Sequence, residues 1–233
     1  MKKPPRNTQK LGILLVDDHP LARTGVRHMI ETERDLMVCG EAGSAAEGLT
    51  AAIELSPALV ISDVSLPGRS GFELVQDLTA RCPGVPVLML SMHSEFTYGR
   101  RALEIGARGY IMKSTEGEEL LRAIRTVLRG SIYMSRAASE QMLEYMNSRC
   151  RKKRTGIEAL SPREFEIFGL IGHGGSSTDI GQRLNLSPKT VDTHRERIKI
   201  KLGVEKLGEL ISLSASWVAE QSMTPPSATA TTR

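Results

Sequence analysis

Ala58-Leu59-Val60-Ile61-Ser62-Asp63-Val64-Ser65-Leu66-Pro67-Gly68 is the stretch on which the fold is decided. It opens as a short apolar run, the pattern of a strand buried on both faces. It closes on a carboxylate followed by a Pro-Gly turn. A carboxylate at the carboxyl end of a buried strand meets solvent only at the edge of the sheet. In open α/β sheets that edge is where ligands bind. Taken alone, Asp63 is read equally well as a turn or capping residue, and the neighbouring strand ends decide between the two.

Upstream, Leu11-Gly12-Ile13-Leu14-Leu15-Val16 reads as another buried strand, ending in Asp17-Asp18-His19-Pro20. Pro20 suits the first turn of a helix over residues 21–31. A second strand is expected over 36–40, then a helix capped by Ser44, boxed by Glu47 and stopped by Pro57. Downstream, a helix over 71–81 carries Phe72, Leu74, Val75 and Leu78 on its apolar side. A strand over 86–91 ends in the Ser91 hydroxyl, a helix follows over 96–105, and a strand over 108–113 ends in the Lys113 amine. An amphipathic helix over 117–129 closes the unit. This alternation predicts a doubly wound, five-stranded parallel sheet with helices on both faces. Right-handed crossovers put every carboxyl strand end on one edge.

That edge collects Asp17, Asp18, Asp63, Ser91 and Lys113. Crowded carboxylates repel and raise one another's pKa unless a cation joins them. An all-oxygen donor set without Cys or His ligand spacing suits a hard divalent ion, Mg²⁺ best. An amine and a hydroxyl beside it can each contact a phosphoryl oxygen, so the edge reads as a phosphoryl-transfer site built from positioning and electrostatics. The chain has no G-x-x-x-x-G-K-[ST] loop, and no bound nucleotide is expected.

The length, 233 residues, suits two modest domains. Aromatics make up only 4% of the chain, so its cores must be aliphatic. No apolar run approaches the roughly 20 residues of a membrane span, and residues 1–10 are basic without the apolar core of a signal peptide. Cys39, Cys82 and Cys150 are too scattered for a disulfide framework or a metal site and read as reduced thiols of a cytoplasmic protein. A net charge of +4 permits nucleic-acid binding without requiring it.

The second half has a different grammar. Helical content over 135–149 is followed by the basic run Cys150-Arg151-Lys152-Lys153-Arg154-Thr155-Gly156, read as a solvated linker. Ser161-Pro162-Arg163-Glu164 combines a hydroxyl cap, a first-turn proline and a boxing glutamate. Gly172-His173-Gly174-Gly175 ends that helix in a tight turn. A short helix over 177–184 turns inward through Ile180 and Leu184. After Asn185-Leu186-Ser187-Pro188 comes a basic helix over 189–202, then a last helix over 205–219. This is a helix-turn-helix pattern. At about 100° per residue, Val191, Ile198 and Leu202 share the inward face, while Lys189, Thr193, Glu196 and Ile200 lie opposite with Arg197 on the flank. His194 falls near the packed face and reads as structural.

Residues 11–129 resemble the receiver domains of two-component response regulators through Asp17-Asp18, the Asp-x-x-Leu-Pro-Gly segment at Asp63, Ser91 and Lys113. The resemblance implies a flavodoxin-like sheet with Asp63 as phosphoacceptor. It further implies Mg²⁺ on Asp18, Asp63 and the Ser65 carbonyl, with Asp17 acting through a water on the metal. By the same resemblance Ser91 and Lys113 bind phosphoryl oxygens, Tyr110 is an aromatic switch, and Ser65 and His93 stand where dephosphorylation rate is tuned. Ser91 stands where Thr is commoner and Leu66 where Met is. Ser114 takes the place of the proline that follows the lysine in many receivers.

Residues 160–217 look like the LuxR/FixJ/NarL DNA-binding domain, through Ser161-Pro162-Arg163-Glu164, Thr190-Val191 with His194-Arg195, and Lys201-Leu202-Gly203-Val204. By carry-over Lys189, Thr193, Arg195 and Arg197 are candidate DNA contacts, while Asp192 and Glu196 depart from the frequent basic residues there.

Together these resemblances imply a response regulator of NarL/FixJ type. Its expected plan is a flexible tail over 1–10, a receiver over 11–130, a linker over 131–156, an all-α helix-turn-helix domain over 157–220 and a disordered tail over 221–233. Its expected partners are a sensor histidine kinase, double-stranded DNA and, on phosphorylation, a second copy of itself, with no membrane. Two other readings compete: a constitutive DNA binder with an idle receiver, and an aspartate-nucleophile phosphohydrolase. The second needs an acid/base Asp two residues after the nucleophile, where this chain has Ser65.

Overall fold

The aliphatic runs become strands β1 (Leu11–Val16), β2 (Leu36–Ala42), β3 (Leu59–Asp63), β4 (Val87–Ser91) and β5 (Gly109–Met112). The computed structural model describes residues 10–148 and 156–222. The chain divides into two compact units between Met134 and Ser135. Of the tails expected over 1–10 and 221–233, residues 1–9 and 223–233 lie outside the described residues, as does the basic run over 150–155, whereas Gln221 and Ser222 belong to the last helix.

In the first unit all strands pair in parallel, in the order β2-β1-β3-β4-β5. Every residue of β3 and β4 is buried, as a strand covered on both faces requires. The cover comes from α1 (Pro20–Glu31), α2 (Ala45–Leu55), α3 (Gly71–Arg81), α4 (Arg100–Glu104) and α5 (Gly117–Leu128). One face packs Ile13, Leu15, Ile61, Leu88 and Leu90 against Val26 and Ile30 of α1 and Leu120, Ile124 and Val127 of α5. This layer is aliphatic apart from Tyr133, but the expectation of purely aliphatic cores does not hold for the unit, because its few aromatics are drawn inside: Phe72, Tyr98 and Tyr110 are buried as well.

The chain leaves β1 in one direction to make β2 and in the other to make β3, so a crevice opens between β1 and β3 at their carboxyl ends. Register decides what lines it. Val16 pairs with Ser62, Asp63 with Leu90 and Ser91 with Met112. Asp17, Asp63, Ser91 and Lys113 therefore emerge side by side.

Three local features differ from expectation. Glu47 boxes one residue early: Ser44 accepts from its amide at 3.3 Å, but its carboxylate accepts from the Gly43 N–H at 2.9 Å. The helix expected over 96–105 begins as a wide π turn, Glu95–Gly99, before α4. Within that turn Tyr98 is buried and stacks between His93, at 4.4 Å, and Phe72, at 6.1 Å. The third is at the end of the unit, which runs past residue 130 because Tyr133 packs into the core and bridges Gly109 in parallel. The Tyr110 amide donates to the Tyr133 carbonyl at 3.2 Å.

The second unit holds α6 (Arg136–Ser148), a 3-10 turn (Gly156–Ala159), α7 (Pro162–Gly172), α8 (Ser177–Leu184), α9 (Pro188–Leu202) and α10 (Leu207–Ser222). Ser161 and Glu164 close a reciprocal capping box at α7, and Ser176 and Asp179 close another at α8. Phe165, Ile167, Phe168, Leu170 and Ile171 of α7 are buried with Ile180 and Leu184 of α8, Val191 and Ile198 of α9 and Leu210 of α10. Trp217 sets its edge on Phe165 at 5.4 Å and lies tilted on Phe168 at 5.6 Å.

Gly71 fixes how α3 approaches β3. Its amide donates to the Val64 carbonyl at 2.8 Å, and a Cβ there would stand 1.8 Å from the Asp63 carbonyl oxygen. Neither partner is a side chain that can swing aside. Gly71→Ala is expected to destabilise the first unit by at least about 2 kcal/mol, seen as a lower urea midpoint of its unfolding transition.

Candidate functional site

Asp63, the last residue of β3, is 5% exposed, and Asp17, one residue beyond β1, is 6% exposed. Two carboxylates this buried need a counter-charge. Lys113, one residue beyond β5, supplies it. Its Nζ stands 2.6 Å from Asp17 Oδ2 and 2.7 Å from Asp63 Oδ2. Burial pushes the Asp63 carboxyl above its ordinary pKa, and the Lys113 ammonium opposes this without cancelling it. Burial works against the charge on Lys113 too, yet Asp63 and Asp17 outweigh it and raise the lysine pKa.

Asp18 completes the acidic set, half-buried. Ligand atoms of Asp17, Asp18, His19 and Asp63 all lie within 4.8 Å of one another. The residues fit a hard cation on three counts. The carboxylate oxygens converge, Asp18 Oδ1 is buried without a hydrogen bond, and the cavity already draws an ammonium in between two carboxylates.

His19 was not expected here. Its Nδ1 lies 2.7 Å from Asp18 Oδ1, off the hydrogen-bonding direction, and its amide donates to Asp17 Oδ1 at 2.8 Å. Its place between the acidic pair and Pro20 was the available signal. Arg23 was also missed: its guanidinium donates to the Asp17 carbonyl and, through Nε, to Glu41 at 3.2 Å.

The remaining expected residues surround this cluster. The Ser65 amide donates to Asp63 Oδ1 at 3.3 Å, and its Oγ is 3.4 Å from His93 Nε2. Ser91, 1% exposed, accepts from the His93 amide at 3.2 Å. Tyr110 is fully buried, and its hydroxyl donates to the His93 carbonyl at 3.0 Å. Burial holds that hydroxyl well above its ordinary pKa, so it remains a donor. His93 is thus fastened by its amide, its carbonyl and its ring.

In the second unit, Lys189, Thr193, Glu196, Arg197 and Ile200 are exposed on α9, opposite buried Val191 and Ile198. Arg195 stands apart from the other DNA-contact candidates. It is half-buried, and its Nη2 donates to the Gly175 carbonyl at 2.9 Å, which ties α9 to the turn before α8. His194 is half-buried too. The Ser161-Pro162-Arg163-Glu164 motif does more than cap. Glu164 accepts from Lys201 Nζ at 2.6 Å, while Arg163 pairs with Glu166 at 2.6 Å and donates to the Leu184 carbonyl at 3.1 Å. These contacts fix α9 and α8 on α7. Among the described residues no helix is long and apolar enough to cross a membrane.

Residues 13–125 match the response regulator receiver domain, and residues 158–214 match the bacterial regulatory proteins of the luxR family. The chain is 35% identical over 202 residues to the transcriptional regulatory protein MctR of Rhizobium johnstonii, covering 87% of this chain and 92% of that one. It is 35% identical over 204 residues to the response regulator GacA of Pseudomonas aeruginosa, covering 88% and 95%. Among solved structures, a LuxR-family response regulator from Aurantimonas superposes with a TM-score of 0.57 at 33% identity, over 60% of this chain and 99% of that one. RcsB of Salmonella typhimurium superposes with a TM-score of 0.64 at 24% identity, over 89% and 98%.

The raised pKa of Asp63 carries a stability consequence. The folded protein resists ionising a carboxyl that the unfolded chain ionises freely above its ordinary pKa of 3.8. The penalty is absent below that pH, grows through the window up to the folded pKa and is complete above it. Asp63→Asn removes it. The variant is expected to unfold at higher urea than the wild type at pH 7, with the gap closing as pH falls through the window, followed by far-ultraviolet circular dichroism.

Proposed function

Because the chain belongs to the response regulators that join a receiver to a LuxR-type DNA-binding domain, a family of phosphorylation-dependent transcription regulators, we propose that Asp63 is its phosphoacceptor and α9 its DNA-reading helix. The observation that carries the first part is Lys113 Nζ drawn to within 2.7 Å of Asp63 and 2.6 Å of Asp17, beside Asp18, at the carboxyl edge of the sheet. A cavity that gathers a cation between carboxylates suits an incoming phosphoryl group and its counter-ions. The donor is a sensor histidine kinase: an Asp63 carboxylate oxygen bonds to phosphorus as the phosphorus–nitrogen bond of the donor breaks. Asp18, Asp63 and the Ser65 carbonyl would hold Mg²⁺, with Asp17 reaching it through water. Bound there, Mg²⁺ neutralises charge that three carboxylates would otherwise set against the phosphoryl oxygens.

Lys113 then moves from carboxylate to phosphoryl oxygen, and Ser91 turns its hydroxyl to another. The Ser91 shift disturbs the bond from the His93 amide, and with it the backbone that Tyr110 holds. A change at Asp63 is thereby converted into a change of the surface around α4 and β5. The protein turns over no external substrate. It acts in the cytoplasm, where the promoter DNA is.

Lys189, Arg197 and Thr193 contact the duplex, with Arg195 setting the angle of α9 through Gly175. One helix makes a small interface, and tight specific binding then calls for two copies on half-sites about one helical turn apart. Phosphorylation favours that dimer.

Two outcomes are expected. With a small-molecule phosphodonor, labelling of the full chain needs Mg²⁺ and disappears in Asp63→Asn; labelling of that variant at the wild-type rate would refute the acceptor assignment. For DNA, affinity measured by fluorescence anisotropy should rise by roughly 5- to 150-fold with phosphodonor and fall steeply with salt. Lys189→Ala should weaken all sequences alike and shallow the salt slope by about one. An affinity indifferent to both salt and phosphodonor would sink this reading.

A further inference from the structure

We propose that Glu196 determines sequence preference by accepting a hydrogen bond from the N4 amino group of a cytosine in the major groove; this rests on the reading of α9 as the DNA-reading helix. At about 100° per residue Lys189, Thr193, Glu196 and Ile200 fall within about 60° of one another on α9. All four are exposed, Ile200 by 79%, while Val191 and Ile198 opposite are fully buried. Whatever α9 docks against meets this face.

An acidic side chain on such a face would ordinarily be repelled by phosphates. Glu196 is placed differently from a free carboxylate. Both its oxygens lie 3.0 Å from Lys199 Nζ. The Lys199 side chain is only 17% exposed and the Glu196 side chain 66%. The ammonium is therefore packed down and the carboxylate points out, with a cation beside both of its oxygens. Its outward lone pairs remain able to accept. Asp192, the other acid of α9, already accepts from the Ser177 hydroxyl, and the Thr193 hydroxyl donates to the Lys189 carbonyl at 3.0 Å. Glu196 is thus the carboxylate left to read a base.

The chemistry of the groove selects the base. A carboxylate has no proton to give. Guanine offers O6 and N7 and thymine offers O4, all acceptors that repel it. Adenine offers an amino group but sets the N7 lone pair beside it. Cytosine offers an amino group with no acceptor on its groove edge.

The test is selection from a randomised duplex pool by the full-length protein with phosphodonor, at one fixed salt concentration, for wild type, Glu196→Ala and Glu196→Gln. The wild type is expected to prefer a C·G pair at one position of each half-site by about 5- to 100-fold. Glu196→Ala should flatten that position to within about twofold and leave the others unchanged. Glu196→Gln, which can both accept and donate, should move it towards adenine. If both variants select the wild-type base at every position, whether binding more tightly or not, Glu196 is only the surface partner of Lys199 and the proposal is overturned. A wild-type profile flat at every position would instead overturn the DNA-reading role of α9, and this inference with it.

Discussion

Three carboxylates at the end of a buried sheet cannot stay charged together without a cation among them, and much of the first unit serves that constraint. Lys113 meets it from one side, reaching Asp17 and Asp63 at once. The two aspartates come from β1 and β3 and the lysine from the far side of β4, so the bridge spans the carboxyl edge of the sheet. Its geometry holds only if parallel register brings the three strand ends level. The buried aliphatic cover fixes that register, because a slip of one residue would turn every core side chain of a strand to the other face. The hydrophobic core and the polar site are in this sense one device. The core sets the stagger, and the stagger sets the distances between charges.

The site remains under tension. Burial raises the cost of charge on Asp63 more than Lys113 relieves it. A structure selected for stability alone would put an asparagine or an apolar residue there. Asp63 is thus a carboxylate held against its preference, with the Lys113 ammonium as its nearest partner.

The strands, the helices and the edge that gathers Asp17, Asp18, Asp63, Ser91 and Lys113 were legible in the sequence, because burial on two faces writes an unmistakable apolar run. The helix-turn-helix was legible for a related reason: Ser-Pro starts and glycine stops bracket short amphipathic segments. What escaped was set by contacts between residues distant in sequence. Nothing local announces that Tyr98 enters a π turn to stack between His93 and Phe72. The use of Arg195 on Gly175 was equally hidden, since an arginine on a basic helix reads as a DNA contact until the fold shows its guanidinium tied to a carbonyl. Tyr133 extended the first unit for the same reason: one aromatic residue packing on a distant strand outweighed the loop-like residues before it.

That last contact sets where the chain leaves the first unit. The connecting chain does not leave the first unit from a passive surface loop. Its final residues are fastened to β5, through Tyr133 to Arg108 on one side and Tyr110 to Tyr133 on the other. β5 is also the strand that carries Tyr110 and leads to Lys113. The anchor of the tether therefore rides on the element nearest the chemistry. A displacement of β5 is therefore handed through two backbone hydrogen bonds to residue 133, at the very end of the first unit, and is not lost in a slack loop.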